Sequence, residues 1–308
     1  MTDFSAAVVD YLSTRRAMGY KLVLDGRLLH RFAAHLDAVG AEHLTSADAV
    51  AWATGHGTAN TAWRAGRLTI IRSFARYLIA LDPATEIPPV GLLPEAKHRI
   101  VPHIYTDDEI ARVILEAGRL VHPHRADTYQ TLIGLLAVTG MRVGETVRLD
   151  QADVDLDDGV VTIRDTKFGK SRQVPVHATT IDALRGYAGR RDHRRRAAKS
   201  PSFFTSSIGT RLLRDNISTV FPTLVRAARI TTPPGRRPAR AHDLRHTFAV
   251  RCLIGWHRQG LDVHQRLPLL STYLGHVDPA TTYWYLSAVP ELVELIAERL
   301  DAMQDDRR

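Results

Sequence analysis

The stretch TGMRVGE, residues 139–145, determines how the second half of the chain folds. It ends the strongly apolar helical pattern TYQTLIGLLAVTG, and Gly140 suits the end of that helix. Arg142 would then lie at the N-terminus of the next helix, where the backbone already favours an anion, and its guanidinium would strengthen that site. Glu145 could brace Arg142. Taken alone, an arginine in such a motif is more often a surface residue than a catalytic one.

Helical and strand-like segments surround this motif. Upstream, TDDEIARVILEAG begins with a capping-box pattern from Thr106 to Glu109. Downstream, ADVDL, GVVTIRD and RQVPV have the character of three short strands, the first two joined by the turn DDG. The remainder is mainly helical. We therefore predict a mainly α or α+β second domain over residues 105–308, with helices around a small antiparallel sheet.

Residues 1–81 carry helical apolar spacing, which predicts an all-helical first domain. In its longest periodic segment, NTAWRAGRLTIIRSFARYLIAL, one face is apolar and the opposite face gathers Arg64, Arg72 and Arg76. That basic face is either solvated or a surface that contacts phosphates. Five prolines between residues 82 and 102 then predict an extended linker over residues 82–104.

The composition limits the possible function classes. The formal charge is +8 and the pI about 9.9, a balance that favours a polyanionic partner, most often nucleic acid. The single cysteine, Cys252, excludes an intrachain disulfide and a cysteine-rich zinc site. No apolar run reaches the length of a membrane span and the N-terminus lacks the layout of a signal peptide, so we expect a cytoplasmic protein without membrane contact.

Two further motifs carry side chains suited to phosphate chemistry. In DTKFGKSRQVP, Lys167 would lie at a hairpin tip, which is usually solvated but can also enter a DNA groove. In AHDLRHTFAV, His242 and Arg245 are three residues apart and share a helix face, while His246 would point elsewhere. A histidine and an arginine together at a helix start can supply proton transfer and charge neutralisation at a phosphate.

A last motif, YLGHVDPATTYWY, holds His276 and, nine residues later, Tyr285. In order and spacing, Arg142, Lys167, the motifs HDLRH and LGH, and Tyr285 resemble the tyrosine recombinase (phage integrase) family. Each motif is weak singly, but the combination spans residues 139–285 and is highly specific. The helical first domain and the proline linker also resemble the core-binding domain of that family, without a distinctive motif.

The resemblance implies a reaction that needs neither metal, cofactor nor ATP. A tyrosine attacks a DNA phosphodiester, leaves a 3′-phosphotyrosyl link and expels a 5′-hydroxyl, and a hydroxyl from another strand then reverses the step. The resemblance assigns six catalytic residues: Arg142 and Arg245 as clamps for the phosphate, Lys167 as proton donor to the leaving oxygen, His242 as acid or base, His276 as hydrogen-bond donor to the phosphate, and Tyr285 as nucleophile.

Two tyrosines compete for the nucleophile's role. Tyr283 and Tyr285 lie about 200° apart on a helix, so only one of them faces a given site. The spacing of the family selects Tyr285. Tyr283 and Trp284 are then aromatics that pack in the protein or stack on DNA. The alternative for Tyr283, Trp284 and Tyr285 is that all of them only fill the hydrophobic core.

One interval departs from the pattern that the resemblance implies. From Arg245 to His276 there are 31 residues, which exceeds our expectation for the family by roughly two helical turns. An extended helix after Cys252, or a longer loop near Gly260, would absorb the excess.

Basic residues outside the catalytic set are candidate DNA contacts: Arg64, Arg72, Arg76, Lys170, Arg172, Arg236 and Arg237. Charge runs such as residues 190–199 and 235–240 are usually solvated, but catalysis on DNA requires a basic surface, so we favour DNA binding. The amphipathic tail PELVELIAERLDAM packs either on its own domain or, as the resemblance implies, on a neighbouring protomer.

Together these features predict a two-domain, site-specific DNA recombinase. We expect a homo-tetramer acting on two double-stranded DNA sites through a four-way junction, in integration, excision or transposition. Two alternatives remain: a catalytically idle DNA-binding protein on the same scaffold, and an enzyme that relaxes DNA as a type IB topoisomerase does.

Overall fold

The computed structural model describes residues 2–55, 61–94, 101–164, 171–194, 200–233 and 236–275. The chain forms two compact units, Met1–Arg99 and Ile100–Arg308. The predicted catalytic residues Lys167, His276 and Tyr285 lie outside the described residues, as do Lys170, Tyr283 and the C-terminal tail.

The first unit is helical within its described residues. Its helices are α1 (Phe4–Ala17), α2 (Val23–Ala38), α3 (Ser46–Thr54) and α4 (Thr61–Leu78). Asp3 and Thr45 cap α1 and α3, because the side-chain oxygen of each accepts a hydrogen bond from a backbone N–H of the first turn. The apolar faces meet in one core, which includes Leu12, Leu29, Phe32, Trp52, Ile71 and Phe74.

The first part of the proline-rich stretch is fastened to the first unit. Arg72 on α4 donates from Nε to the carbonyl oxygen of Pro88 over 2.8 Å and from Nη2 to that of Pro89 over 2.9 Å. The backbone N–H of Glu86 donates to the carbonyl oxygen of Leu44 over 2.8 Å. The prediction that Arg72 contacts DNA therefore differs from the structure, since its guanidinium is buried and directed at these carbonyl groups.

In the second unit, helices surround a small sheet. Its helices are α5 (Asp107–Gly118), α6 (Pro123–Thr139), α7 (Val143–Thr146), α8 (Ala178–Arg194), α9 (Arg214–Ala227), α10 (Asp243–Arg258) and α11 (Val263–Leu274), with a 3₁₀ turn at Gln151–Asp153. The predicted capping box between Thr106 and Glu109 is present at the start of α5.

The sheet contains the three predicted strands. They are β1 (Val154–Asp155), β2 (Val160–Ile163) and β3 (Arg172–Pro175), antiparallel in that order. Val161 pairs with Val154 on one side and with Val174 on the other, and all three side chains are buried. The fold class predicted from the sequence, mainly helical with a small antiparallel sheet, is confirmed.

The apolar helix α6 is central to the second unit, because α5, α8 and α10 all pack against it. Its residues Leu132, Ile133, Leu135 and Leu136 are buried in the larger core of the molecule. None of the described helices combines the length and the apolar character that crossing a bilayer requires.

The long interval after Arg245 forms a helical hairpin. Helix α10 continues to Arg258, and Asp262 caps α11 by accepting from two backbone N–H groups of its first turn. The two helices enclose a small core of their own, which includes Val250, Leu253, Leu267 and Leu270. The excess residues thus lengthen the helix beyond Cys252 and lead α11 back towards the end of α6.

The meeting point of α6, α10 and α11 requires a glycine. Gly140 has a φ of +61°, and a Cβ at this position would lie 2.6 Å from the Phe248 ring and 3.1 Å from Leu274. Both the left-handed backbone and the close approach therefore exclude a larger residue.

We expect Gly140→Ala to lower the free energy of unfolding by about 2–4 kcal/mol, since it adds a strained φ to a steric clash. Urea-induced unfolding measures the change. Gly134→Ala on the same helix is the matched control: a Cβ there meets nothing within 4 Å, so we expect equal or higher stability. Equal effects of the two substitutions would contradict this packing.

Candidate active site

The short helix α7 is held by a hydrogen-bonded pair at its start. The backbone N–H of Arg142 donates to Glu145 Oε2 over 2.9 Å, and the guanidinium Nη1 of Arg142 donates to Oε1 over 2.7 Å. Glu145 is only 3% exposed. The carboxylate therefore fixes both the backbone and the side chain of Arg142.

A second arginine shares the same carboxylate. Arg172 on β3 donates from Nη2 to Glu145 Oε2 over 2.8 Å and from Nη1 to Oε1 over 3.2 Å. This places β3, which follows Lys167 in the sequence, directly beside α7. Arg172, a predicted DNA contact, is instead mostly buried and turned towards the protein interior.

The ion pairs keep Glu145 charged although it is buried. Burial by itself would raise the pKa of Glu145, but the hydrogen bonds and charges of Arg172 and Arg142 outweigh it and lower the pKa to about 2. One ionised carboxylate thus faces two guanidiniums. The cluster keeps a net positive charge, which suits an anionic ligand.

Arg245 connects the ends of two helices. It is 2% exposed, and it donates from Nη1 to the carbonyl oxygen of Gly140 over 2.9 Å and from Nη2 to that of Leu274 over 2.7 Å. The last carbonyl groups of α6 and α11 lack helical partners and carry partial negative charge, which makes them natural acceptors for a guanidinium. Arg142 Nη2 likewise donates to the carbonyl oxygen of Gly275 over 2.8 Å.

Gly275 is the point at which three of these arginines meet. Its φ is +68°, and a Cβ here would lie 2.7 Å from Nη1 of Arg172. Its carbonyl oxygen accepts from Arg142, while the preceding carbonyl accepts from Arg245. The structure therefore fixes the backbone immediately before His276 by contacts with all three guanidiniums.

His242 lies at the N-terminus of α10. His242 is exposed at the rim of a cavity, yet protein atoms surround much of its ring. This partial burial is the larger cause that lowers the pKa of His242, and together with the positive charges of Arg245 and other arginines it brings the pKa to about 4. The ring of His246 stands perpendicular to it, 4.9 Å between ring centroids. The prediction that His246 points away from His242 is therefore wrong, because residues four apart on a helix are neighbours.

A cavity of about 520 Å³ opens beside His242. Ile217, Phe221 and Pro222 of α9 contribute an apolar wall, and Arg142 and His242 line it as well. Three arginines outside the predicted site residues also line it: Arg148, Arg214 and Arg240.

The sequence signal for these three arginines was weak. Arg240 ends the basic run 235–240, but its position is set by Asp243, which accepts hydrogen bonds from its backbone N–H and its guanidinium over 2.9 and 3.3 Å. Arg148 and Arg214 stand in no charge run, and only the fold brings them to the cavity.

The remaining predicted DNA contacts are dispersed. Arg236 and Arg237 are exposed next to the Arg240 segment, Arg76 is exposed on α4, and Arg64 is half-buried. In the run 190–199, Arg190 and Arg194 both pair with Asp127, and the buried Arg191 pairs with the exposed Asp192. The described part of that run thus serves mainly to hold α8 in place.

Comparisons with known proteins agree with this geometry. The family model described as "Phage integrase family" matches residues 106–291. The chain belongs to this family of tyrosine recombinases. A putative integrase/recombinase of Sinorhizobium fredii is 43% identical over all of both chains. The tyrosine recombinase XerD of Mycobacterium tuberculosis is 30% identical over 90% of each chain.

Solved structures of tyrosine recombinases share the fold. The Tn1549 transposon integrase aligns with a TM-score of 0.66 and 18% identity, covering 97% of this chain and all of the other. A lambda integrase aligns with a TM-score of 0.60 and 18% identity, covering 91% of this chain and 76% of the other. As a tyrosine recombinase, the protein is a site-specific recombinase that breaks and rejoins DNA.

We expect Glu145→Gln to lower the free energy of unfolding by about 3 kcal/mol at pH 7, because it leaves the mostly buried guanidinium of Arg172 and the half-buried one of Arg142 without their counter-charge. The ionised carboxylate stabilises the fold above its usual pKa of 4.5, and this contribution is lost as the pH falls towards about 2. The difference between wild type and variant should therefore shrink below pH 4.5, as measured by urea unfolding across that range.

The matched control is Glu116→Gln, which removes a single ion pair with the largely exposed Arg119 on α5. It should cost less than about 1 kcal/mol. If Glu145→Gln lost as little stability as the control, or if its loss did not change with pH, the stabilising role of the ion pairs of Glu145 with Arg142 and Arg172 would be contradicted.

Proposed function

We propose that this recombinase cuts DNA through a 3′-phosphotyrosyl intermediate and exchanges strands between two specific sites through a four-way junction. The observation that carries the proposal is the convergence of Arg142, Arg172 and Arg245 on Gly275 and the residue before it. These contacts fix the chain immediately before His276, nine residues ahead of Tyr285.

In the proposed reaction, the Tyr285 oxygen forms a bond to phosphorus while the bond from phosphorus to the 5′ oxygen breaks. Arg142 and Arg245 neutralise the charge on the nonbridging oxygens, and preorganisation makes this effective because the guanidiniums need not move during the reaction. Lys167 supplies the proton to the departing oxygen, and His276 donates a hydrogen bond to the phosphate. The phosphotyrosyl bond conserves the energy of the broken phosphodiester. A 5′-hydroxyl can therefore attack it and rejoin the DNA.

His242 suits the removal of the tyrosine proton. With its pKa lowered to about 4, the imidazole is neutral at physiological pH and has a free nitrogen that can accept a proton, but without DNA it is a weak base. The negative charge of a bound phosphate would raise the pKa again and stabilise the imidazolium that forms. His246, in contact with it, limits the movement of the ring.

Structural neighbours support a DNA partner and assembly. They include a XerH recombinase bound to its palindromic difH substrate after cleavage and a lambda integrase tetramer bound to a Holliday junction. We propose that this chain likewise binds double-stranded DNA as a homo-tetramer and that residues 290–303 dock on a neighbouring protomer. Arg64 and Arg76 of the first unit, Lys170, and Arg236 and Arg237 would contribute DNA contacts.

We expect wild type to become covalently attached to a suicide duplex that carries a nick near the scissile phosphate, and Tyr285→Phe to lose this adduct altogether, because the variant lacks the attacking oxygen. Denaturing gel electrophoresis of labelled DNA measures the adduct. Tyr283→Phe is the matched control and should retain it.

The outcomes separate the alternatives. Loss of the adduct in Tyr283→Phe alone would move the nucleophile to Tyr283, and absence of any adduct in wild type would favour an idle DNA-binding protein. Relaxation of supercoiled DNA by a monomer without site preference would indicate topoisomerase-like activity.

The arginines around the cavity should contact phosphates that flank the reacting one. We expect Arg214→Ala and Arg148→Ala each to reduce the slope of log affinity against log salt by about 0.9, since each removes one phosphate contact. Fluorescence anisotropy with a labelled duplex measures the slope. Arg226→Ala, an exposed arginine in the last turn of α9, is the control, and an equal effect of all three would contradict a role for the cavity.

A further inference from the structure

Four arginines are buried within the described residues, and one of them differs from the rest. Arg72, Arg191 and Arg245 are 7%, 2% and 2% exposed, and each donates to at least two acceptors. Arg67 on α4 is 6% exposed, yet its Nε and Nη1 are buried without a hydrogen-bond partner. Buried charged groups are normally paired, so this exception calls for an explanation.

Two tryptophans flank the Arg67 guanidinium. Its central carbon lies 5.1 Å from the Trp52 ring centroid and 5.5 Å from that of Trp63. Trp52 is buried in the core of the first unit, whereas Trp63 is 38% exposed. Aromatic faces attract a cation, but this attraction is weaker than the cost of removing a charged group from water.

The electrostatics around Arg67 favour an additional anion. Burial first, and then the positive charge of Arg31 on α2, lower the pKa of Arg67. No carboxylate of the described residues forms an ion pair with Arg67, and the one charge that shifts its pKa is that of Arg31. The guanidinium carbon lies over both tryptophan rings, while Nε and Nη1 have no hydrogen-bond partner.

We propose that Arg67, with Arg31, forms a phosphate-binding site of the first unit, and that a backbone phosphate of bound DNA occupies it. A phosphate matches the fork of a guanidinium and would supply the counter-charge that the protein does not. The site is separate from the catalytic residues, all of which belong to the second unit. Its assignment to DNA rests on the proposed function, whereas its affinity for phosphate does not.

The test compares the full-length chain with Arg67→Met, which keeps an unbranched side chain between the tryptophans but removes the charge. We expect the slope of log affinity for duplex DNA against log salt to fall by about 0.9. The melting temperature should stay the same or rise, because an uncompensated buried charge is gone. A purely structural cation between two tryptophans predicts the reverse: a lower melting temperature and an unchanged slope, and that result would overturn the site.

The control is Arg27→Met, an exposed arginine one helical turn before Arg31 on α2, which should leave the slope unchanged. Should Arg67→Met fail to fold, Arg31→Met replaces it, with a lower slope expected and an unchanged slope overturning the proposal. Inorganic phosphate tests whether the site binds phosphate independently of DNA. It should raise the melting temperature of wild type more than that of Arg67→Met. If wild type fails to bind DNA, the proposed function fails, and this phosphate comparison alone decides the site.

Discussion

The carboxylate of Glu145, shared between Arg142 and Arg172, is the interaction on which the rest of the active site depends. It joins a helix start and a strand that are far apart in sequence, and it does so in a nearly fully buried position. Both guanidiniums then reach the turn at Gly275. Removing the carboxylate would leave the mostly buried Arg172 and the half-buried Arg142 in mutual repulsion, so Glu145 sets both the geometry and the charge of the site.

The C-terminal ends of two helices provide the second set of contacts that positions the arginines of the site. The carbonyl groups at the ends of α6 and α11 would be left without partners, and Arg245 satisfies one from each helix. Lysine could not do this, because only the planar fork of arginine reaches two fixed acceptors in a defined geometry. The same contacts that stabilise the helix ends therefore hold the cation in place before any substrate arrives, which is the condition for electrostatic preorganisation.

Local patterns explain which features the sequence could predict. The capping box at Thr106, the glycine stop at Gly140 and the three short strands each depend on residues close in sequence, and the structure contains all of them. The functions of Arg72 and Arg172 depend instead on partners 16 and 27 residues away, which periodicity does not report.

The same reasoning applies to the candidate site. The family motifs led to Arg142, His242 and Arg245, and the fold brings these residues to neighbouring positions. Arg148 and Arg214 lacked any local signal, since they reach the cavity only through the packing of α9 beside α7. Charge runs were a poor guide, because acceptors within the protein already engage several of their arginines.

The most direct measurement is a crystal structure of the full chain trapped covalently on a nicked duplex. We expect the phosphate within about 3 Å of guanidinium nitrogens of both Arg142 and Arg245, with Glu145 still bridging Arg142 and Arg172. A phosphate held elsewhere, or a Glu145 that has released either arginine in the trapped complex, would contradict it.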